Sequence, residues 1–172
     1  MKVTDIQPNE YAPYQENYLR LVNDEWSLTE ELEVSLHKFI DFVRDIPMDK
    51  YDYRYAEGKW DIKDIIQHII DSERIFAYRA LCIARGDKTP LPGFEENEYA
   101  AAADAGRRHL QDLLTELSMV RQSNIFLFKS FREKELNQIG VANNFTVSAR
   151  AFGFLIIGHQ NHHIRIFKER YL

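Results

Sequence analysis

The chain has 172 residues, 45% of them hydrophobic, which is enough to bury the core of one domain spanning residues 1–172. Its formal net charge of -5 argues against the clustered positive charge that nucleic-acid binding requires, so no nucleic-acid partner is expected. The single cysteine cannot form an internal disulfide, no apolar leader begins the sequence, and no apolar stretch approaches the roughly 20 residues that cross a bilayer, so we expect a cytoplasmic protein without a membrane partner.

Helical periodicity dominates the sequence, and the first elements are a short helix and a long one. The short helix is expected to begin at Pro13, because proline suits the first turn. The long helix should end at Ile46, since the residue before Pro47 disfavours helical geometry. Its apolar stripe, with neighbours three and four residues apart, consists of Leu32, Leu36, Phe39, Ile40 and Val43.

A strong start signal precedes the second long helix. Asp61 and Asp64 have the spacing of a capping box, while Trp60 and Ile65 stand where a hydrophobic staple would pack. The apolar stripe that follows continues until Gly86, which favours a helix end. We therefore predict a helix from about residue 61 to residue 85.

Two more long helices are predicted after a connection rich in proline and glycine. That connection, residues 86–103, is a candidate crossover between helices that are not neighbours and a candidate wall for a site. The third long helix should begin near Asp104 and fade at residues 137–140. The last should begin after Thr146 as N-cap and run almost to the final residue. No strand pattern persists, so we predict an all-α four-helix bundle whose connectivity the pattern leaves open.

Histidines in two of these helices form a candidate metal site. His159 and His163 are four residues apart, so both imidazoles can point at one ion. His162 is a rival ligand that the spacing leaves open, although helical H-x-x-x-H zinc motifs favour His163. His68, in the second long helix, is the candidate third ligand if the bundle brings it there. Three imidazoles leave a coordination position free, as a catalytic metal requires.

Neighbours of His68 have two competing interpretations. Asp64 and Ser72 lie one turn on either side of it and can hold its second ring nitrogen, although the capping role is favoured for Asp64. Cys82 is fourteen residues further along, which is about 21 Å of helix. It is therefore too distant to share the ion, and we expect it to be a small buried apolar residue.

The remaining polar residues have simpler expected roles. His37 and His109 have no partner at ligand spacing, so they are expected to be structural or exposed. Arg79 and Arg150 can each meet an anionic substrate, but ion pairs with acids of the helices are favoured. Three acids are expected to form a solvated face: Glu95, Glu96 and Glu98.

Four runs of residues resemble the DinB superfamily, and within it the YfiT-like branch of metal-dependent hydrolases and thiol S-transferases. They are residues 53–60, 68–74, 85–94 and 158–163. The resemblance covers most of the chain and implies an up-down-down-up four-helix bundle, often a homodimer. It also implies that the metal-binding histidines are His68, His159 and His163, in agreement with the helical spacing.

The same resemblance implies one divalent ion, zinc or nickel, and a small-molecule substrate. Some members transfer a thiol such as bacillithiol or mycothiol to an electrophile, while the second mechanism hydrolyses an amide or ester with metal-activated water. His162 matches an adjacent histidine of the family and is a candidate either for supporting a metal ligand or for carrying a proton. The H-R-G-Q continuation of other branches does not follow His163, so their activities are not expected. The alternative function is a non-catalytic, metal-binding or stress-related dimer.

Overall fold

A computed structural model describes all 172 residues, which form seven α-helices and one β-hairpin. The helices are α1 (Glu16–Leu19), α2 (Leu28–Arg44), α3 (Ile62–Ala84), α4 (Glu96–Ala103), α5 (Leu110–Ser130), α6 (Glu133–Leu136) and α7 (Ala149–Arg170). The hairpin pairs β1 (Ile139–Ala142) with β2 (Phe145–Ser148) between α6 and α7. None of the helices is long and apolar enough to cross a membrane.

Contacts between helix ends show how the four long helices run. Phe42 stacks on Phe167, so the carboxyl ends of α2 and α7 meet and the two helices are parallel. Trp60, just before α3, accepts a hydrogen bond from the hydroxyl of Tyr171, just after α7. The start of α3 therefore meets the end of α7, and these two helices are antiparallel.

The direction of α5 completes the topology. Arg108, just before α5, donates a hydrogen bond to Gln67 near the start of α3, so α3 and α5 run in the same direction. The order is up, down, down, up, which confirms the predicted bundle. A 3-10 turn at Pro13–Gln15 leads into α1, which confirms the predicted short N-terminal helix.

The helices form a ring in which α2 and α3 are diagonally opposite. Helix α3 packs on α5 and α7, and α2 packs on the same two helices from the other side. The crossovers are therefore the connection from α2 to α3 and the connection from α5 to α7. The segment after Gly86 joins α3 to α5, which are neighbours, so the predicted crossover at this segment is wrong.

The predicted start of α3 is confirmed in atomic detail. Asp61 accepts a hydrogen bond from the amide of Asp64 (2.9 Å), and Asp64 accepts one from the amide of Asp61 (3.2 Å). Arg54 bridges both carboxylates at 2.8 Å each. At the other end the helix stops at Ala84, and Gly86 takes the left-handed φ of +83° that favours glycine.

The predicted start of the last helix, after Thr146, is wrong because this residue belongs to the hairpin. Thr146 pairs with Val141, and Asn143 and Asn144 form the tight turn with φ values of +49° and +66°. The N-cap is Ser148, whose hydroxyl accepts the amide N–H three residues later (3.1 Å). Strand β1 begins at Ile139, within the stretch where the third long helix was expected to fade.

The predicted bounds of the third long helix are also wrong, because separate short helices lie before and after it. Asp104 has a left-handed φ of +47° and ends α4, so α5 begins only at Leu110. At its far end α5 stops at Ser130. A new cap, in which the amide of Arg132 donates to Glu135 (2.9 Å), then starts the short α6.

A polar layer divides the interior of the bundle into two apolar clusters. One cluster lies toward the hairpin and includes Phe152 and Phe154; the other lies toward the opposite end and includes Phe39 and Phe167. The side chains between them, contributed by α2, α3, α5 and α7, include an arginine–glutamate pair and the predicted metal ligands. They are Ser35, His68, Glu73, Arg121, Asn124, His159, Gln160 and His163. The candidate site is thus part of the core.

Candidate metal centre

The three predicted histidines meet inside the bundle. His68 comes from α3, while His159 and His163 come from successive turns of α7, and all three are at least nine-tenths buried. The Nε2 atom of His159 lies 3.0 Å from that of His68 and 3.1 Å from that of His163. Each residue offers a ligand atom within 4.8 Å of the other two.

This arrangement fits a single divalent ion. Imidazole nitrogens about 2.0–2.1 Å from one zinc ion lie roughly 3.0–3.4 Å from each other, which is the spacing around His159. Without a cation, three Nε2 atoms compete for the same few protons, and the buried Nδ1 of His163 has no hydrogen-bond partner. A cation would accept one lone pair from each ring and would relieve this competition.

Burial keeps these rings neutral at physiological pH. It lowers the pKa of His68 to about 4, with a smaller contribution from the nearby His162. It also lowers the pKa values of His159 and His163 well below their ordinary range, and the neighbouring histidines lower them further. Because a neutral imidazole is the form that binds metal, the ligands are prepared for an ion near pH 7.

The stability of the metal-free protein should therefore fall as the pH is lowered. Unfolded His68 takes up a proton below its ordinary pKa of 6.5, whereas the folded residue does so only near 4. The stabilisation is complete above pH 6.5 and is lost between pH 6.5 and 4, amounting to roughly 2 kcal/mol between pH 7 and pH 5. Urea unfolding of chelator-treated protein at both pH values measures this loss. The variant His68→Gln should lose less, and an identical loss in both proteins would contradict the assignment.

Two cavities flank the histidines. One, of about 110 Å³, is lined by His68 and His159 together with side chains from α1, α3 and α4. The other, of about 230 Å³, is lined by His163, Trp60 and Tyr171. Glu96, at the exposed start of α4, lines both. The predicted wall formed by the segment after α3 is present, because Gly93 and Phe94 line the smaller cavity.

Aromatic side chains surround the imidazoles. Tyr18 of α1 meets the rings of His159 and His162 edge-on, at centroid distances of 5.6 and 5.3 Å. Trp60, predicted only as a staple residue, lies 4.8 Å from the ring of His68. Phe76 is 5.8 Å from His159. Trp60 lines the larger cavity, whereas Tyr18 and Phe76 line the smaller one, so these rings form apolar walls of the two cavities beside the imidazoles.

Gly158 allows α1 to approach α7 beside the site. A Cβ atom at Gly158 would overlap the carbonyl group of Tyr18. The absence of a side chain at this position therefore lets the backbone of α1 pack directly on α7 and brings Tyr18 against the histidines.

Other predicted residues lie outside the cluster. His162 is half-buried beside His163 and does not join the three converging nitrogens. His37 and His109 are exposed. Cys82 is half-buried at the edge of an apolar cluster, so it is less enclosed than predicted. Ser72 is buried, and its hydroxyl has no hydrogen-bond partner, so the structure gives it no contact with a ring nitrogen of His68.

The two arginines differ from each other. Arg150 forms the predicted kind of ion pair, in which two of its nitrogens contact the carboxylate of Glu10. Arg79 is buried, whereas Arg150 is only half-buried, and the hydrogen-bond partner of Arg79 is the carbonyl oxygen of Pro92 (2.6 Å) rather than an acid. The favoured interpretation of Arg79 as half of an ion pair is therefore wrong.

A buried ionic network next to His159 was not predicted. Arg121 is fully buried and contacts both carboxylate oxygens of Glu73, at 2.7 and 2.9 Å. The same guanidinium donates to Gln160 (2.9 Å), which in turn donates to the carbonyl oxygen of Ser35 (2.9 Å). Since Gln160 follows His159 in α7, the network fixes the rotation of the helix that presents two of the three imidazoles.

The sequence contains a signal for this network. Leu117, Arg121, Asn124 and Phe128 are spaced four, three and four residues apart, so the two polar residues occupy positions on the apolar stripe of α5. A charged residue on a buried stripe requires a partner of opposite charge. Glu73, five residues after His68 on the facing helix, meets that requirement.

Comparisons with known proteins agree with this architecture. A family model described as the DinB superfamily matches residues 31–167. A protein of Oceanobacillus iheyensis, assigned provisionally as a metal-dependent hydrolase, is 24% identical over 142 residues, which are 81% of this chain and 80% of that protein.

Two solved structures share the fold. One is YfiT from Bacillus subtilis, described as a probable metal-dependent hydrolase with an unusual four-helix bundle topology. It superposes with a TM-score of 0.72 at 15% identity, and the superposition covers 95% of this chain and 90% of the YfiT chain. The mycothiol-dependent maleylpyruvate isomerase superposes with a TM-score of 0.63 at 11% identity, covering 99% of this chain and 63% of its own. The second match leaves over a third of the isomerase without a counterpart.

Proposed function

The chain belongs to the DinB superfamily, and from this premise we propose that it is a divalent-metal-dependent enzyme acting on a small molecule. His68, His159 and His163 hold the ion, with zinc or nickel as the expected metal. The observation that carries the proposal is the convergence of three buried imidazoles between two cavities. Such a set leaves a coordination position that a reactant can reach.

Two reactions suit this site, and the two cavities favour thiol S-transfer over hydrolysis. His68, His159 and His163 would hold the divalent ion, which when bound would lower the pKa of a thiol or water molecule and so would supply the nucleophile. A thiol and an electrophile can enter from different sides of the histidines, whereas hydrolysis needs space for one organic substrate. The mycothiol-dependent isomerase supports the thiol reaction, and the relatives assigned as metal-dependent hydrolases support the other.

Residues of the cavities supply the remaining functions. Glu96 reaches both cavities and can accept the proton of the nucleophile. Burial and the charge of Glu96 raise the pKa of Tyr18, which therefore keeps its proton and can donate a hydrogen bond to an oxygen that gains charge. His162, half-buried beside Tyr18, is the candidate proton carrier to solvent.

The test is the metal content and activity of untagged protein purified without a nickel column. We expect about one divalent ion per chain by mass spectrometry, because the cluster has one set of ligands. The loaded protein is then assayed with low-molecular-weight thiols plus electrophiles and, separately, with esters and amides. Protein that stays empty after incubation with zinc or nickel would contradict the proposal.

The alternative is a non-catalytic role in which the ion only ties α3 to α7. In that case the loaded protein would gain stability from the ion but would turn over none of these substrates. A homodimer and a cytoplasmic location remain predictions from the resemblance and the composition. Sedimentation velocity and cell fractionation would test them.

A further inference from the structure

Arg79 is a buried cation without a counter-ion. Its side chain comes from α3 and is 6% exposed as a residue, yet no Asp or Glu forms an ion pair with it. The other deeply buried arginine, Arg121, has Glu73 as its partner. Because an unpaired buried charge destabilises a protein, the absence of an acid at Arg79 requires a reason.

The side chain lies in the smaller cavity, together with two of the metal-site histidines. His68, Ser72, Phe76 and Arg79 follow one another at spacings of four, four and three residues on one face of α3, and all four line the cavity with His159. Eleven residues of helix span about 16 Å, and long side chains on a helix generally lean back toward its start. A small molecule can therefore reach from the imidazoles toward the guanidinium.

Most of the hydrogen-bonding capacity of Arg79 is unused. A guanidinium has five N–H donors, and the protein supplies one acceptor, the carbonyl oxygen of Pro92 (2.6 Å). The ring of Phe94 lies 5.9 Å from the guanidinium carbon and closes one side. The remaining donors form a planar fork that matches the two oxygens of a carboxylate.

The charges around the cavity favour a monoanion. Glu96 also lines this cavity but does not pair with Arg79, so its negative charge opposes a doubly charged ligand. The cavity presents no second arginine or lysine, which a phosphate dianion would call for. The polar groups that remain are neutral hydroxyl, amide and imidazole groups from α1, α3, α7 and the hairpin turn.

We propose that Arg79 forms a carboxylate subsite, and that the small molecule that reacts at the histidines carries a carboxylate which this arginine binds. The placement of the reacting group at the histidines rests on the proposed function above. The subsite itself rests on the buried guanidinium of Arg79, which has no Asp or Glu partner. Arg79 is thus a residue that determines specificity.

The first experiment measures carboxylate binding without requiring activity. Zinc-loaded protein is titrated with propionate and with the neutral isostere propionamide, and NMR follows the Arg79 Nε–H signal and the backbone amide of Gly93, which also lines the cavity. We expect saturable shifts with propionate alone. In Arg79→Met the affinity for propionate, obtained from the shifts of the Gly93 amide, should fall by about 10- to 100-fold, because a charge-assisted pair is lost. The propionate affinity of Arg79→Lys should lie between those of the wild type and Arg79→Met.

Controls separate this role from a structural one. Arg150→Met removes a half-buried arginine that is paired with Glu10 outside the cavity and should leave propionate binding unchanged. Arg79→Met should keep or raise the melting temperature, since it removes an uncompensated buried charge; a structural arginine would lower it. Equal responses to propionate and propionamide, or undiminished propionate binding in Arg79→Met, would overturn the subsite.

The second experiment uses turnover. The hydrolysis of a 4-nitrophenyl ester with a free terminal carboxylate is compared with that of its uncharged analogue. Arg79→Met should lower kcat/KM at least tenfold for the charged ester and less than twofold for the uncharged one. If neither ester is hydrolysed, hydrolysis is excluded as the reaction of the site for these esters, while the propionate titration still decides the subsite.

Discussion

His159→Ala should leave the protein without bound metal and without activity, while its fold is retained. His159 is the central candidate ligand, because its Nε2 atom lies within 3.1 Å of those of both His68 and His163. Removing it leaves two imidazoles on different helices, so we expect metal affinity to fall by about a hundredfold or more. This loss is larger than the loss expected when a residue that only supports a ligand is changed. Mass spectrometry after dialysis measures the occupancy, and circular dichroism checks the fold.

His162→Ala is the matched control for that variant. His162 is in the same helix and touches His163, but it does not join the three nitrogens. Its loss should leave the metal content near one ion per chain, and an effect on activity alone would identify it as the proton carrier. If the His162 variant loses metal while the His159 variant keeps it, the ligand set proposed here is incorrect.

Arg121→Met should destabilise the protein by about 3–5 kcal/mol, because it leaves the carboxylate of Glu73 buried without its partner. Methionine preserves much of the volume, so the loss reflects the uncompensated charge rather than a cavity. Gln160 also loses its donor, and the rotation of α7 becomes less well defined. Chemical denaturation of the metal-free protein measures the free energy of unfolding and keeps metal binding out of the comparison.

Two further variants establish the cause of that loss. Lys129 is in α5, like Arg121, and forms an exposed pair with Glu33 of α2, so Lys129→Met should cost less than about 1 kcal/mol. The double variant Arg121→Met with Glu73→Leu removes both buried charges and should recover at least half of the stability lost by Arg121→Met. A double variant no more stable than Arg121→Met would show that packing, not charge, is responsible.

Much of the fold and the arrangement of the candidate ligands could be predicted from the sequence. The apolar stripes identified the long helices, and the acid pair at Asp61 and Asp64 located the start of α3, because both signals depend on local geometry. The spacing of His159 and His163 placed two imidazoles on one face for the same reason. The approach of His68 followed from the bundle, in which α3 packs directly on α7. That these residues bind an ion remains a prediction.

Features that depend on contacts distant in sequence were missed or misassigned. The hairpin is short, and the spacing around Thr146 favours a helix cap because nothing local in the sequence shows that this residue pairs with Val141 across a hairpin. For Arg79 the sequence favours an ion pair, because the position of a residue along its own helix does not reveal whether the facing helices carry an acid. The structure gives it a carbonyl partner instead. The partner of Arg121 lies 48 residues away, so the polar residues on the stripe of α5 acquire meaning only once α3 faces them.

Gly158 packs against Tyr18, so the absence of a side chain at Gly158 determines how wide the smaller cavity is. A methyl group at Gly158 would have to push α1 outward, and Tyr18 would move with it because the overlap involves its own backbone. The width of the smaller cavity is therefore controlled from behind its wall, by a residue that need not contact the ligand. Related chains with a larger residue at this position would have a wider opening beside the same three histidines and would accept bulkier reactants.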